Sequence, residues 1–293
     1  MRVKVPLHVS GLWIPFKSEN PLETGSYGAG LNLDLYMEAE ATAGDCGIRV
    51  NNETVLRDQS LEICSGGPGV SVGAYSPVSL GSGFGLSAGL LIAHALAAYR
   101  AKGLPSLRAF QVAHVLEVKY STGLGDVLSE YTGGFAIRLK PGAPGVGVAH
   151  RVMLPENPVL VVGELPYREP THMMLSRISS SLYSEAFSYY RRIVETEDLH
   201  EFFTYSQAFT RRIFDYSTVD KVLQGVKGVV SFYLKKAALV IWVEDEYALE
   251  VSELLGSKGV KVFTTRVSSR GVTVEYSTKS PAKREPANQG ETG

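Results

Sequence analysis

The apolar positions of this chain change their period several times, and each change predicts an element. Val3 to Val9 alternates and predicts a short strand, broken at Pro6. Leu31 to Ala41 and Gly47 to Leu56 read as strands of a hairpin or meander about Ala43-Gly44-Asp45. Ser65 to Gly69 is a turn, with a further short strand at Val70 to Ala74. Leu86, Leu90, Ala93 and Ala97 then recur at helical spacing, so a helix starts near Leu86 and ends at Lys102 to Pro105. A second helix is expected from Ser106, its N-cap, to Tyr120, followed by a short helical stretch to Glu130 and a strand from Phe135 to Leu139.

Beyond a Pro/Gly-rich turn at Pro141 to Gly147, Val159 to Gly163 is an unbroken apolar strand. Ser176 to Gln224 contains no glycine and reads as two or three helices. Ala237 to Val243 predicts a buried strand and Glu246 to Leu255 a helix ended at Gly256. Lys261 to Val267 and Val272 to Tyr276 predict a hairpin about Ser268 to Gly271. The expected class is α+β. The expected units are residues 1–155, residues 156–278 and a disordered polar tail, 279–293.

Composition narrows the function classes. With 44% hydrophobic and 20% charged residues, the chain can build a substantial core. Its net charge of −1 argues against general nucleic-acid binding. No stretch reaches the roughly 18 apolar residues of a membrane span, and Met1 to Phe16 lacks the apolar core of a leader. The expectation is a soluble, cytoplasmic protein without nucleic-acid or membrane partners. The two cysteines, Cys46 and Cys64, are expected to be small buried side chains in a reducing compartment, with neither a disulfide framework nor a zinc site.

The candidate chemistry centres on Pro77 to Ala98. Three glycines in five residues, Gly81, Gly83 and Gly85, allow a tight turn with positive φ and present N–H groups at a helix start, an anion site suited to phosphate. A Walker loop is excluded, because no lysine lies between Pro77 and Ala101. Gly83-x-Gly85-x-x-Ala88 matches the dinucleotide fingerprint, but Pro77 lies just upstream and Lys102 to Ser106 carries no acid for a ribose. A bare helix-capping turn and a non-Walker nucleotide loop, with Ser82 and Ser87 as hydroxyl donors, remain.

Phosphoryl transfer needs a metal between phosphate oxygens and a group on the acceptor hydroxyl. Ser87 and Glu117 suit a hydroxyl–carboxylate pair on Mg²⁺. Asp126, in the turn Ser121 to Val127, is placed to act as a base or to orient the acceptor. Arg138 suits an anion. Each also has a purely structural reading: Ser87 and Asp126 as caps, Glu117 and Arg138 as solvated residues, and His114 as a satisfied structural histidine.

Together these residues resemble the GHMP (galactokinase, homoserine kinase, mevalonate kinase, phosphomevalonate kinase) superfamily and, more narrowly, its archaeal pantoate kinase family. The resemblance is carried by Pro77 to Ala88, Val5 to Gly11, Asn20 to Gly30, and Glu117-Val118 with Thr122 to Val127. It covers residues 3 to 140 and weakens beyond. It implies a two-domain fold, with an N-terminal domain like ribosomal protein S5 domain 2 and a ferredoxin-like C-terminal domain. It also implies transfer from ATP to pantoate, a step toward coenzyme A.

The implied nucleotide residues are Pro77, Gly81, Ser82, Gly83, Phe84, Gly85, Leu86, Ser87 and Ala88, with Mg²⁺ on Ser87 and Glu117 and catalysis by Asp126, Glu117 and Ser87. The implied acceptor residues are His8, Ser10, Thr24, Gly25, Ser26, His114, Gly123 and Arg138. A homodimer is left open. The late segment Gly228 to Ala237 lacks the glycine-rich motif many members carry, so the resemblance assigns no residue there, and Thr171 is noted only as an acceptor contact too weakly placed to assign.

Overall fold

A computed structural model describes residues 1–167, 171–176 and 178–276. The expected tail at 279–293 lies outside the described residues. Two sheets organise the chain. The first has eight strands: β1 (Arg2–Phe16), β2 (Gly25–Ala43), β3 (Gly47–Val50), β4 (Glu53–Val55), β5 (Val70–Tyr75), β6 (Phe135–Lys140), β7 (Val148–Val152) and β12 (Thr273–Glu275). Helices α1 (Arg57–Cys64), α2 (Leu86–Ala101), α3 (Ser106–Lys119) and α4 (Asp126–Thr132) accompany it. Almost every residue of α2 is buried, from Leu86 to Ala98, because it packs against β1, β2 and β5 on one side and α1 and α3 on the other.

The second sheet is antiparallel and contains β8 (Val159–Glu164), β9 (Val229–Lys235), β10 (Ala238–Val243) and β11 (Lys261–Arg266), in the order β11-β8-β10-β9. Helices α5 (Thr171–Ser176), α6 (Ser180–Thr196), α7 (Leu199–Arg211) and α8 (Ser217–Leu223) connect β8 to β9, and α9 (Ala248–Ser257) connects β10 to β11. That is the β-α-β-β-α-β ferredoxin-like arrangement. The fold is therefore α+β, as the pattern implies.

Several expectations are corrected. Pro6 does not break β1; the strand continues to Phe16 and absorbs its irregularities as register shifts between Pro6 and His8 and between Ser10 and Leu12. Gly25 to Gly30 is the start of β2, not a loop. Its glycines clear space: a Cβ on Gly30 would lie 2.4 Å from His8 Nε2, and one on Gly28 would lie 2.7 Å from Arg138 Nη2. Gly47 to Leu56 is a tight two-strand hairpin, β3 pairing in parallel with β5.

The expected C-terminal hairpin does not form. β11 joins the second sheet, whereas β12 crosses back to pair with β1 in the first, Val3 opposite Val274. α3 starts after Pro105 as N-cap, without a side-chain cap from Ser106. α9 runs through Gly256. Cys46 and Cys64 are joined in a disulfide, against the expectation of two free thiols, because the β2–β3 turn brings Cys46 over the end of α1.

Candidate active site

A cavity of about 220 Å³ lies between the two halves of the chain. Its walls come from β1 (Ser10, Trp13), β2 (Ser26), the Gly81–Ser87 loop, the Tyr120–Asp126 turn, α5 (Thr171, Met174) and the β9–β10 turn (Lys235, Lys236). The glycine-rich loop takes the conformation that its composition predicts. Gly81, Gly83 and Gly85 all have positive φ, and Gly85 is the N-cap of α2. Gly81, Gly83, Leu86 and Ser87 face the cavity. Ser82 and Phe84 do not line it: Ser82 Oγ donates to Ser79 O, and Phe84 is a core residue whose carbonyl accepts from His8 N. Pro77 and Ala88 frame the loop and are buried.

Gly83 has a second constraint. A Cβ there would lie 2.2 Å from Lys235 O, so the loop is seated directly on the β9–β10 turn. Gly83→Ala should lower Tm by roughly 4–8 °C, the size expected for about 2 kcal/mol of backbone strain in a domain of this size. Gly81→Ala makes the comparison, because Gly81 has a similar φ but open space around it, so its effect should be the smaller of the two. Equal melts for the two variants would show that the Lys235 contact does not matter.

Ser87 and Glu117 meet as predicted. Ser87 Oγ donates to Glu117 Oε1 at 2.8 Å, and Thr122 Oγ1 donates to the same oxygen at 2.5 Å. Glu117 Oε2 is buried without a hydrogen-bond partner. Burial pushes the Glu117 carboxyl up to about 7, with the Asp126 charge adding and the Thr122 and Ser87 bonds opposing. Gly123 allows the Tyr120–Asp126 turn to close over this group, since a Cβ there would lie 2.0 Å from Glu117 Oε2.

Asp126 is the first residue of α4. His8 Nδ1 donates to its Oδ1 at 2.8 Å, and Lys235 Nζ donates to the same oxygen at 3.1 Å. Burial alone would raise the Asp126 carboxyl, but Lys235, the His8 bond and Arg138 outweigh it and hold it well below the usual carboxylate range. Burial lowers His8 to about 4 even against the pull of Asp126, so at neutral pH a neutral imidazole faces a carboxylate. Glu130, one turn further along α4, is fully buried, and neither carboxylate oxygen has a partner. Burial, with Asp126 and Glu117 nearby, raises it well above the usual range.

Of the expected acceptor residues, Ser10, Ser26 and Gly123 line the cavity. His8, Thr24, Gly25, His114 and Arg138 stand behind its wall. His114 Nε2 donates to Thr24 O at 2.7 Å, and Thr24 Oγ1 donates to Ser18 O, so these two brace the entry to β2. A Cβ on Gly25 would meet Gly142 N at 2.6 Å. Arg138 is not solvated. It is buried, donates to Ser129 Oγ and Leu12 O, and lies against the Gly125 turn.

Three residues that the sequence reading left unassigned enter the site. Lys235 and Lys236 end β9 and open its turn into β10. Lys236 Nζ donates to Thr171 Oγ1 at 2.8 Å, and Thr171 Oγ1 donates to Thr122 O at 2.9 Å, tying α5 to the Tyr120–Asp126 turn. Their signal was present: two lysines placed between two apolar strands, where a tight turn would bury them. A search for glycines in that segment passes over it.

Residues 53–134 match the family model described as the GHMP kinases N terminal domain. In its fold and over this stretch the chain is similar to GHMP kinases. The curated relatives found are pantoate kinases. The Thermococcus kodakarensis protein is 37% identical over 186 residues, 58% of this chain and 62% of its own length. The Methanocaldococcus jannaschii protein is 34% identical over 151 residues, 47% of this chain and 53% of its own. The matched stretches thus span less than two thirds of these relatives. A solved structure described as a phosphotransferase related to CoA biosynthesis pathway superposes with a TM-score of 0.73 at 26% identity, covering 93% of this chain and 98% of its own. A structure described as MDDEF in complex with MVAPP, AMPPCP and magnesium shares the fold, with a TM-score of 0.68 at 14% identity over 93% of this chain and 97% of its own.

Proposed function

We propose that this protein is an ATP-dependent kinase that phosphorylates the 4-hydroxyl of pantoate, giving 4-phosphopantoate, in the cytoplasm, where ATP is available. The observation that carries the reading is one cavity that gathers a positive-φ glycine loop, the Ser87–Glu117 pair and an anionic Asp126 held by Lys235. Similarity to pantoate kinases supports the choice of acceptor. In this reading the loop N–H groups and the α2 N-terminus receive the triphosphate.

The donor set fits a hard divalent cation: two oxygens already in contact, and a buried carboxylate oxygen, Glu117 Oε2, with no other partner. Ser87 and Glu117 would hold Mg²⁺, which when bound supplies charge neutralisation at the phosphate oxygens. Asp126 Oδ1 is taken by His8 and Lys235. Oδ2, beside Gly123, is assigned to the acceptor hydroxyl. A carboxylate held so far below its ordinary range is a weak proton acceptor. Asp126 therefore orients the hydroxyl, and its proton passes to the transferred phosphoryl group as the new O–P bond forms, as a loose transition state permits. Lys235 sits where charge on that group must be neutralised. Arg138 adds positive charge from behind the Gly125 turn.

A coupled ADP-release assay across pantoate, pantothenate, mevalonate and homoserine, with Mg²⁺, tests this. ADP should appear with pantoate alone. Turnover with mevalonate or homoserine instead would move the protein elsewhere in the superfamily, and ATP binding without turnover on any acceptor would make it a non-catalytic relative.

A further inference from the structure

Outside the active-site cavity, three metal-ligating side chains converge. Cys46 comes from the β2–β3 turn, Cys64 from the end of α1, and His94 from the middle of α2. Their ligand atoms all lie within 4.8 Å of one another. His94 Nε2 is 3.9 Å from Cys46 Sγ and 3.7 Å from Cys64 Sγ. Zinc–sulfur and zinc–nitrogen bonds of about 2.3 and 2.0 Å at a tetrahedral angle place N and S about 3.5 Å apart, so the imidazole already stands at nearly the required separation from both sulfurs.

We propose that Cys46, Cys64 and His94 form a redox-gated zinc site: a disulfide when oxidised, and a Cys₂His site for one Zn²⁺ when reduced. The balance is simple. A dithiol gives two electrons and two protons to the Cys46–Cys64 bond and becomes a disulfide, or a phosphine takes the oxygen of one water to become its oxide and leaves that water's two protons on the sulfurs; two thiols form, and Zn²⁺ then displaces those protons to solvent. Two thiolates, one neutral imidazole and a divalent ion sum to zero charge, which a buried site requires; a monovalent soft cation would leave it negative.

His94 suits this role because it is fully buried and its ring already faces both sulfurs. Its Nε2 now meets Val70 O at 2.9 Å, and its Nδ1 is buried with no partner. On metal binding Nε2 would leave Val70 O, and the ring proton would reside on Nδ1. Cys46 is only partly buried, which gives the ion an entry path and leaves the fourth position to water, as in three-ligand zinc sites. None of the three residues belongs to the active-site cavity, so the proposal stands apart from the kinase reading.

The test uses the full-length protein. Reduced with a phosphine, desalted anaerobically and titrated with Co²⁺, it should take one equivalent with a thiolate-to-cobalt charge-transfer band, and Zn²⁺ should bleach that band. Oxidised protein should show no such band. Cobalt bound at Ser87 and Glu117 would lack it too, so the readout separates the two sites. Cys46→Ser, at the most exposed of the three positions, should abolish the two-thiolate spectrum and weaken binding at least tenfold, and His94→Gln should weaken it similarly. The absence of a charge-transfer band in the reduced wild type, or equal affinity in Cys46→Ser, would overturn the proposal even if His94→Gln fails to fold.

Discussion

Lys235→Met should reduce turnover by about 10²- to 10⁴-fold and should add an acid limb from Asp126 to a pH profile in which the wild type shows only that of Glu117, whose carboxyl lies at about 7 before metal binds. The reasoning starts from charge. Lys235 is the leading favourable influence on the Asp126 carboxyl, ahead of His8 and Arg138. A depressed carboxyl is charged above its folded pKa and loses that charge only as pH falls through it. Wild-type Asp126 therefore stays anionic across the range in which kinases are assayed. Without Lys235 that pKa rises, so protonation, and with it loss of the acceptor's anchor, occurs at higher pH. The variant should also be less stable, by about 3 kcal/mol, at the modest end for breaking a buried pair, because His8 and Arg138 still support Asp126. The measurement is kcat and kcat/KM against pH for both proteins, with melts alongside. Turnover within a factor of three of wild type, or an unchanged acid limb, would remove Lys235 from the site.

Asp126→Asn should be comparably damaging, about 10²- to 10⁴-fold in kcat, with ATP affinity little changed. The amide keeps the shape of the side chain but cannot neutralise Lys235, and it weakens the bond from His8 Nδ1, which a carboxylate accepts more strongly. In the proposed reading the nucleotide is held by the Gly81–Ser87 loop, which the substitution leaves untouched, so loss of kcat with retained ATP binding is the signature of a role at the acceptor. Full ADP release by Asp126→Asn would reassign the residue to helix capping. Parallel loss of ATP binding would point to a structural role instead.

The sequence was most legible where one element satisfies its own pattern. Helices α2 and α3 and strands β8 and β10 follow from period and length alone, because each buries a continuous apolar surface. The contact of Ser87 with Glu117, and the place of Asp126 beside them, were legible because the loop before α2 and the turn after α3 carry glycines that allow a close approach. Legibility failed where glycine served a neighbour. Gly28 and Gly30 read as loop, but they are strand residues making room for Arg138 and His8. It failed again where a short polar segment takes its structure from what it touches: α1 and β7 carry little period of their own, and β12, expected as a strand, pairs with β1 instead of β11. Lys235 was hidden for a related reason. Its importance depends on Asp126, 109 residues away, and no local pattern encodes that pairing.

The return of β12 to the edge of β1 has a consequence for the order of events during synthesis. Arg2, Val3 and Lys4 pair with Glu275, Val274 and Thr273. A ribosome must therefore complete nearly the whole chain before the first strand it made acquires its last neighbour. Until then, β1 leaves the exit tunnel with one edge open, and a nascent chain in that state is a template for other strands. A chain stopped before Gly271 should therefore aggregate, even though both sheets' helices and the entire cavity wall have already been made.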